Sequence, residues 1–185
     1  MAEKKKKKVR ILTILLIFFA ILIIGVVIWF NIVTRITPPE IPDKSLIGLK
    51  VENPSENFYT CGKNWLKKSN NGLWEMYLEG KPFERGVSNG KLSRSLIRMQ
   101  EESFIPQINQ IVPSKTYQVF LKYLIYWFNR NLDRYLPLEY KQEIYGISLS
   151  ASPKYSFIGS NYQRLLNYHS AHDIGHALQD FHFVG

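Results

Sequence analysis

Hydrophobic residues are spread along this chain with a period that changes from segment to segment. Ile11 to Val33 carries no charge, and a bilayer core is crossed by about 20 such residues in a helix. The run is too long for a secretory signal, and Trp29-Phe30-Asn31 offers no small-residue cleavage site. Thr37-Pro38-Pro39-Glu40-Ile41-Pro42 predicts a stiff, extended linker. Asn53 to Asn71 is rich in Asn, Ser, Lys and Gly and predicts mostly loop. Gly72 to Gly80, with Leu73, Trp74, Met76, Tyr77 and Leu78 between two glycines, predicts a strand.

The period then becomes helical. Leu92, Leu96, Ile97 and Phe104 predict a helix from Val87 to about Ile108. A second helix is expected over Ser114 to Tyr135, with Tyr117, Phe120, Leu121, Leu124, Ile125 and Phe128 on one face and Lys122, Arg130 and Asp133 toward water. Core packing is the favoured reading of that aromatic face, and an interfacial stripe against a membrane is the alternative. Pro137 suits the first turn of a third helix reaching about Ser150. Ser160-Asn161-Tyr162-Gln163 matches a capping box that opens a fourth, extending to about Leu178. The final residues, with Phe181, Phe183 and Val184, suggest the start of a buried strand. One strand among four helices would be left unpaired, which is unfavourable, so the missing strands are expected on another chain.

Charge fixes the expected topology. The net charge is +9, and Lys4 to Lys8 with Arg10 supply much of it. Such a basic block before an apolar run stays on the cytoplasmic side. Residues 1–10 are therefore expected as a cytoplasmic tail, 11–33 as a transmembrane helix and 34–71 as linker and loop. The main domain, 72–185, is placed outside the cytoplasm, in the periplasm of a diderm cell, as that of a single-pass inner-membrane protein. The soluble part is close to neutral and gives no reason to expect nucleic acid; topology and anionic lipid account for the tail.

Cys61 is the single cysteine and cannot close a disulfide within the chain. Lys63 could lower its pKa, although an incidental thiol or a bridge to another chain is favoured over a nucleophile. His169, His172, His176 and His182 cluster late in the chain. His172 and His176 stand at i, i+4 with Asp173 between them, a spacing that metal ligands use. The segment lacks the Glu of H-E-x-x-H, and Gly175 weakens a helix there, so a structural or pocket-lining role is favoured and no metal is expected. No cofactor is expected either.

Gly80-Lys81-Pro82-Phe83-Glu84-Arg85-Gly86-Val87-Ser88-Asn89-Gly90 is the most specific stretch. It resembles the G-x-P-x-E-x-G-x-x-x-G motif of the acyl-coenzyme A:6-aminopenicillanic acid acyltransferase family of N-terminal-nucleophile (Ntn) hydrolases. Its motif residues here are Gly80, Pro82, Glu84, Gly86 and Gly90. Tyr140 to Ser148, with Glu143, Gly146 and Ile147, is similar to that family's E-x-x-G-I-A element. Leu166-Asn167 followed by Gly185 is similar to the stretch before its processing site.

The resemblance implies an α+β fold, this chain being the helical α-chain portion of an αββα sandwich left after autoproteolysis. Gly185 would precede the cut, and the partner β-chain would begin with the Cys nucleophile, so no catalytic residue is expected here. Glycine leaves the attacked carbonyl approachable, and the freed α-amine can act as base for its own thiol. Arg164, Asn167, His172, Asp173 and His176 are candidates to line the pocket or orient the reacting groups; Glu84 and Arg85 are expected to be structural. Coenzyme A is cytosolic, which favours an acyl amide or lipid-like donor outside the membrane. The alternative is a non-catalytic, membrane-anchored accessory subunit.

Overall fold

The computed structural model describes residues 2–169, and the chain divides into two units, residues 1–35 and residues 36–185. The first unit is one helix, α1 (Ala2–Thr34), exposed from Val9 to Trp29. Its segment Val9–Thr34 is long and apolar enough to cross a membrane. Asn31 and Thr34 donate side-chain hydrogen bonds back to the carbonyls of Val27 and Phe30, at 2.8 Å each, so these polar groups are satisfied within the helix.

The second unit is α+β. A short 3-10 turn (Lys44–Gly48) leads to four antiparallel strands in sequential order, β1 (Glu52–Ser55), β2 (Phe58–Cys61), β3 (Asn64–Lys68) and β4 (Trp74–Tyr77). The expectation of a loop over Asn53 to Asn71 and of an unpaired strand after it is thus corrected. β4 pairs with β3 through Trp65 opposite Tyr77 and Leu66 opposite Met76. The strands are four or five residues long and carry Asn, Pro and Lys, so alternation has few positions in which to register. Two-residue turns join β1 to β2 and β2 to β3, with positive φ at Asn57 (58°) and Gly62 (62°), and a longer loop, 69–73, joins β3 to β4.

The sheet has unequal faces. Tyr59, Cys61, Leu66 and Met76 point toward Leu49, Leu92 and Leu96 and form one apolar cluster. On the other face, Phe58, Trp65 and Tyr77 form an aromatic ladder, with ring centroids 6.4 Å and 6.0 Å apart along it. Cys61 is 1% exposed, and this burial removes it as either a nucleophile or a bridge to another chain.

The helices of this unit are α2 (Pro82–Leu92), α3 (Arg94–Ile111), α4 (Lys115–Asn129), α5 (Leu138–Ser148) and α6, helical over 161–169. The single helix expected from Val87 to Ile108 is two. Ser93 breaks it by leaving helical ψ and turning its hydroxyl onto the Asn89 carbonyl at 2.6 Å. Pro137 stands just before α5, and the Ser160 hydroxyl accepts from Gln163 N–H at 3.3 Å to start α6. A second apolar cluster gathers Ile144, Tyr162, Leu165 and Leu166 around Ile36.

Two further expectations change. Residues 36–43 are no free spacer: Ile36 is 4% exposed inside that cluster, and Gln142 Nε2 donates to the Glu40 carbonyl at 3.0 Å. Proline content fixes the stiffness of a segment but not whether it docks. The aromatic face of α4 is not core either. Phe120 and Phe128 are 56% and 71% exposed, whereas Lys122, expected in water, donates to the Phe157 carbonyl at 2.5 Å.

Candidate functional site

The glycine motif folds as a strand-to-helix junction. Gly80 has φ +108°, a conformation that favours glycine, and the Glu84 carboxylate packs against it. Pro82 starts α2, where its missing N–H costs nothing, and Glu84 lies in the first turn, where a carboxylate suits the helix dipole. Arg85 reaches back to the Gly80 carbonyl at 3.0 Å and across to Glu143 Oε2 at 2.7 Å. Arg85 thus anchors the junction, and Glu84 stands in the first turn of α2.

Gly86 and Gly90 meet α5. A Cβ on Gly90 would stand 2.7 Å from the Ile147 carbonyl oxygen, and one on Gly146 would stand 2.5 Å from Val87 N. One on Gly86 would collide with the Glu143 carbonyl. The two helices touch backbone to backbone because no side chain stands between them. The motif Gly80–Gly90 and the segment Tyr140–Ser148, about fifty residues apart, thus form one contact, closed at its edge by the Arg85–Glu143 ion pair. Asn64 ties this unit to the sheet: its Nδ2 donates to the buried Ser88 hydroxyl at 2.9 Å, and its Oδ1 accepts from Glu79 N–H at 2.6 Å.

A second polar cluster surrounds Arg164 on α6. Its side chain is 0% exposed and its Nε donates to Oε1 of Glu101 on α3 at 2.8 Å; the Glu101 side chain is 2% exposed. Nη2 donates to the Ser152 carbonyl at 2.8 Å, and the Tyr168 hydroxyl donates to Glu101 Oε1 at 3.3 Å. Asn167, one turn from Arg164, accepts from Asn129 Nδ2 at 2.9 Å. Among the described residues Glu101 Oε2 and Arg164 Nη1 have no partner. One buried acceptor and one buried donor are thereby left open, a costly state unless another group completes it. Burial also holds the nearby phenols neutral. The Tyr126 pKa is pushed up to about 12, first by desolvation and then by Tyr123, against the opposing pull of Arg164. Tyr168 is raised by burial and by Glu101.

Glu101 and Tyr168 border a cavity of about 240 Å³ whose other walls include Ile97, Phe104, Leu165 and His169. It is predominantly apolar with a few converging polar groups, the pattern of a small-molecule pocket. A second, more polar cavity of about 430 Å³ is bordered by Ile47, Val51, Lys91, Arg94 and Leu149.

The structure therefore places Arg164 and Asn167 on one helix, Arg164 paired with the cavity-lining Glu101 and Asn167 bonded to Asn129, with His169 on the cavity wall. Candidates His172, Asp173 and His176, and Gly185, the residue expected before a cut, lie outside the described residues. Within those residues no group of three His, Cys, Asp or Glu side chains is placed to hold a metal. Glu101 was missed by the sequence reading. The available signal was its place on the stripe Ile97, Glu101, Phe104, Ile108, where one carboxylate interrupts apolar positions at helical spacing. No family model matches this chain, and neither a curated protein nor a solved structure matches it.

Proposed function

We propose that this chain is the membrane-anchored α-chain part of an autoprocessed Ntn-type amide hydrolase or acyltransferase. One observation carries the reading. The two most specific segments of the resemblance, Gly80–Gly90 and Tyr140–Ser148, are distant in sequence yet form a single glycine-lined contact with a shared ion pair. Chance similarity in two separate stretches gives no reason for their residues to meet.

The layering supports the same reading. The sheet carries α2 on one face and leaves Phe58, Trp65 and Tyr77 on the other, where a second sheet would stack at about 10 Å to complete an αββα sandwich. In this proposal the partner β-chain supplies that sheet and the Cys that follows Gly185. Its thiol attacks the Gly185 carbonyl, the peptide nitrogen takes up a proton and leaves as the new α-amine, and water hydrolyses the resulting thioester to the Gly185 carboxylate and the free thiol. That amine then serves the thiol as base during turnover. Arg164 holds Glu101 at the wall of the 240 Å³ cavity, which takes an apolar acyl group. The open acceptor on Glu101 and the open donor on Arg164 are the complement of an amide N–H and C=O. The substrate is accordingly an acyl amide or lipid-like donor on the outer side of the membrane, with the basic tail inside.

The test is the intact mass of the full gene product purified from membranes. The proposal expects an anchored polypeptide ending at Gly185 and a second polypeptide beginning at the next residue. A single unprocessed polypeptide, or translation that stops at Gly185, refutes it and leaves the accessory-subunit reading.

A further inference from the structure

Helix α4 is amphipathic with its polarity reversed. At 3.6 residues per turn, Gln118, Lys122, Tyr126 and Asn129 share one side. That side holds the helix to the body. Gln118 Nε2 donates to Asn109 Oδ1 at 2.9 Å and to the Val112 carbonyl at 2.6 Å. Lys122 Nζ bonds the Phe157 carbonyl, and Asn129 bonds Asn167. The Tyr126 hydroxyl abuts Gly159. The opposite side carries Tyr117, Phe120, Leu124 and Phe128, which are 51%, 56%, 36% and 71% exposed. A helix that turns its polar groups inward and its aromatic groups outward is facing an apolar phase rather than water.

The geometry points to the lipid bilayer as that phase: α4 lies in the membrane interface with Phe120, Leu124 and Phe128 among the acyl chains. Three further observations favour lipid over a protein partner. No Asp or Glu occurs between Glu102 and Asp133, so no carboxylate on α4 would repel an anionic headgroup layer. Tyr117, Tyr123 and Trp127 supply the amphipathic rings that concentrate at headgroup depth. The chain also brings its own bilayer: only Arg35 separates the apolar helix ending at Thr34 from Ile36, the first residue of the globular unit. The globular unit is therefore tethered directly to a helix long and apolar enough to cross a membrane.

The test uses the full chain reconstituted in lipid nanodiscs, with a nitroxide attached at Phe120→Cys, Phe128→Cys or, for comparison, Lys67→Cys. Buried Cys61 is left in place, and the unsubstituted chain serves as the labelling blank. Collisions with oxygen, which concentrates in lipid, are compared with collisions with a water-soluble nickel chelate. At positions 120 and 128 the oxygen-to-nickel ratio is expected to exceed that at 67 several-fold. Nickel-dominated relaxation at both positions shows a face in water and overturns the inference. Low collision rates with both reagents show a face covered by protein, whether a second copy or another polypeptide, and overturn it equally. The substituted side chains are exposed, so loss of fold does not confuse the result; unchanged circular dichroism verifies this.

Discussion

Replacing Gly90 by Ala sets two effects of opposite sign against each other. In an ordinary helix the change stabilises by about 1 kcal/mol, because Ala loses less backbone freedom than Gly. Here the new methyl would stand 2.7 Å from the Ile147 carbonyl oxygen and 2.9 Å from its Cα, where ordinary contact begins near 3.4 Å. Both neighbours are backbone atoms of α5, which is fixed in turn by Ile144 in the apolar cluster and by the Arg85–Glu143 pair. The helices must separate by about 0.7 Å, and overpacking of this kind costs about 1–3 kcal/mol. The propensity gain of about 1 kcal/mol offsets part of this, leaving a net loss of up to about 2 kcal/mol. In a domain of this size that lowers the melting temperature by up to roughly 8 °C. The assay is thermal unfolding of the full chain in detergent, followed by near-ultraviolet circular dichroism. Gly48→Ala is the control, since nothing lies within 4 Å of a Cβ there, and it is expected to be neutral or slightly stabilising. If Gly90→Ala raises the melting temperature as an unconstrained helical glycine would, the α2–α5 contact described above is wrong.

The remaining predictions concern the buried polar groups. Arg164→Met leaves the Glu101 carboxylate buried without its cation and is expected to cost about 3–5 kcal/mol, whereas Arg164→Met with Glu101→Leu recovers most of that loss; denaturant unfolding of both variants measures the coupling. Tyr126 and Tyr162 both have pKa values pushed up to about 12 by burial, from 10 in the unfolded chain. The folded state therefore holds these protons longer. Their contribution is fully present below pH 10 and is lost as pH rises from about 10 to 12, so unfolding in that window should release tyrosinate absorbance together with loss of structure. Asn64→Ala strips the Ser88 hydroxyl of its donor and Glu79 N–H of its acceptor and is expected to cost about 1–3 kcal/mol in the same unfolding assay.

The sequence made the longest periodic elements legible. The apolar helix, the three helix starts at Ser114, Pro137 and Ser160, and the strand ending before Gly80 all follow from local chemistry. The three strands between Glu52 and Lys68 did not show, because each is too short and too polar for alternation to rise above loop composition. The docking of Ile36 was hidden by the prolines that follow it. The orientation of α4 was the most informative miss. Amphipathicity tells which residues share a side but not what medium that side faces, and inward packing of the apolar side is only the common outcome. Of the candidate site, Arg164 and Asn167 were visible as polar residues on a helix with apolar neighbours. Glu101 was not, because a carboxylate in a Glu-Glu pair is ordinarily solvated; only its partner on a distant helix explains its burial.

The most direct measurement of the central proposal uses a reagent selective for a 1,2-aminothiol, the group that only an N-terminal cysteine presents. The full gene product is purified in detergent through its anchored chain and treated with the reagent. The account predicts that a second polypeptide co-purifies with the anchored one and carries the label, while the anchored chain, whose Cys61 is internal and buried, does not. A preparation containing one continuous polypeptide and no labelled terminus would contradict it.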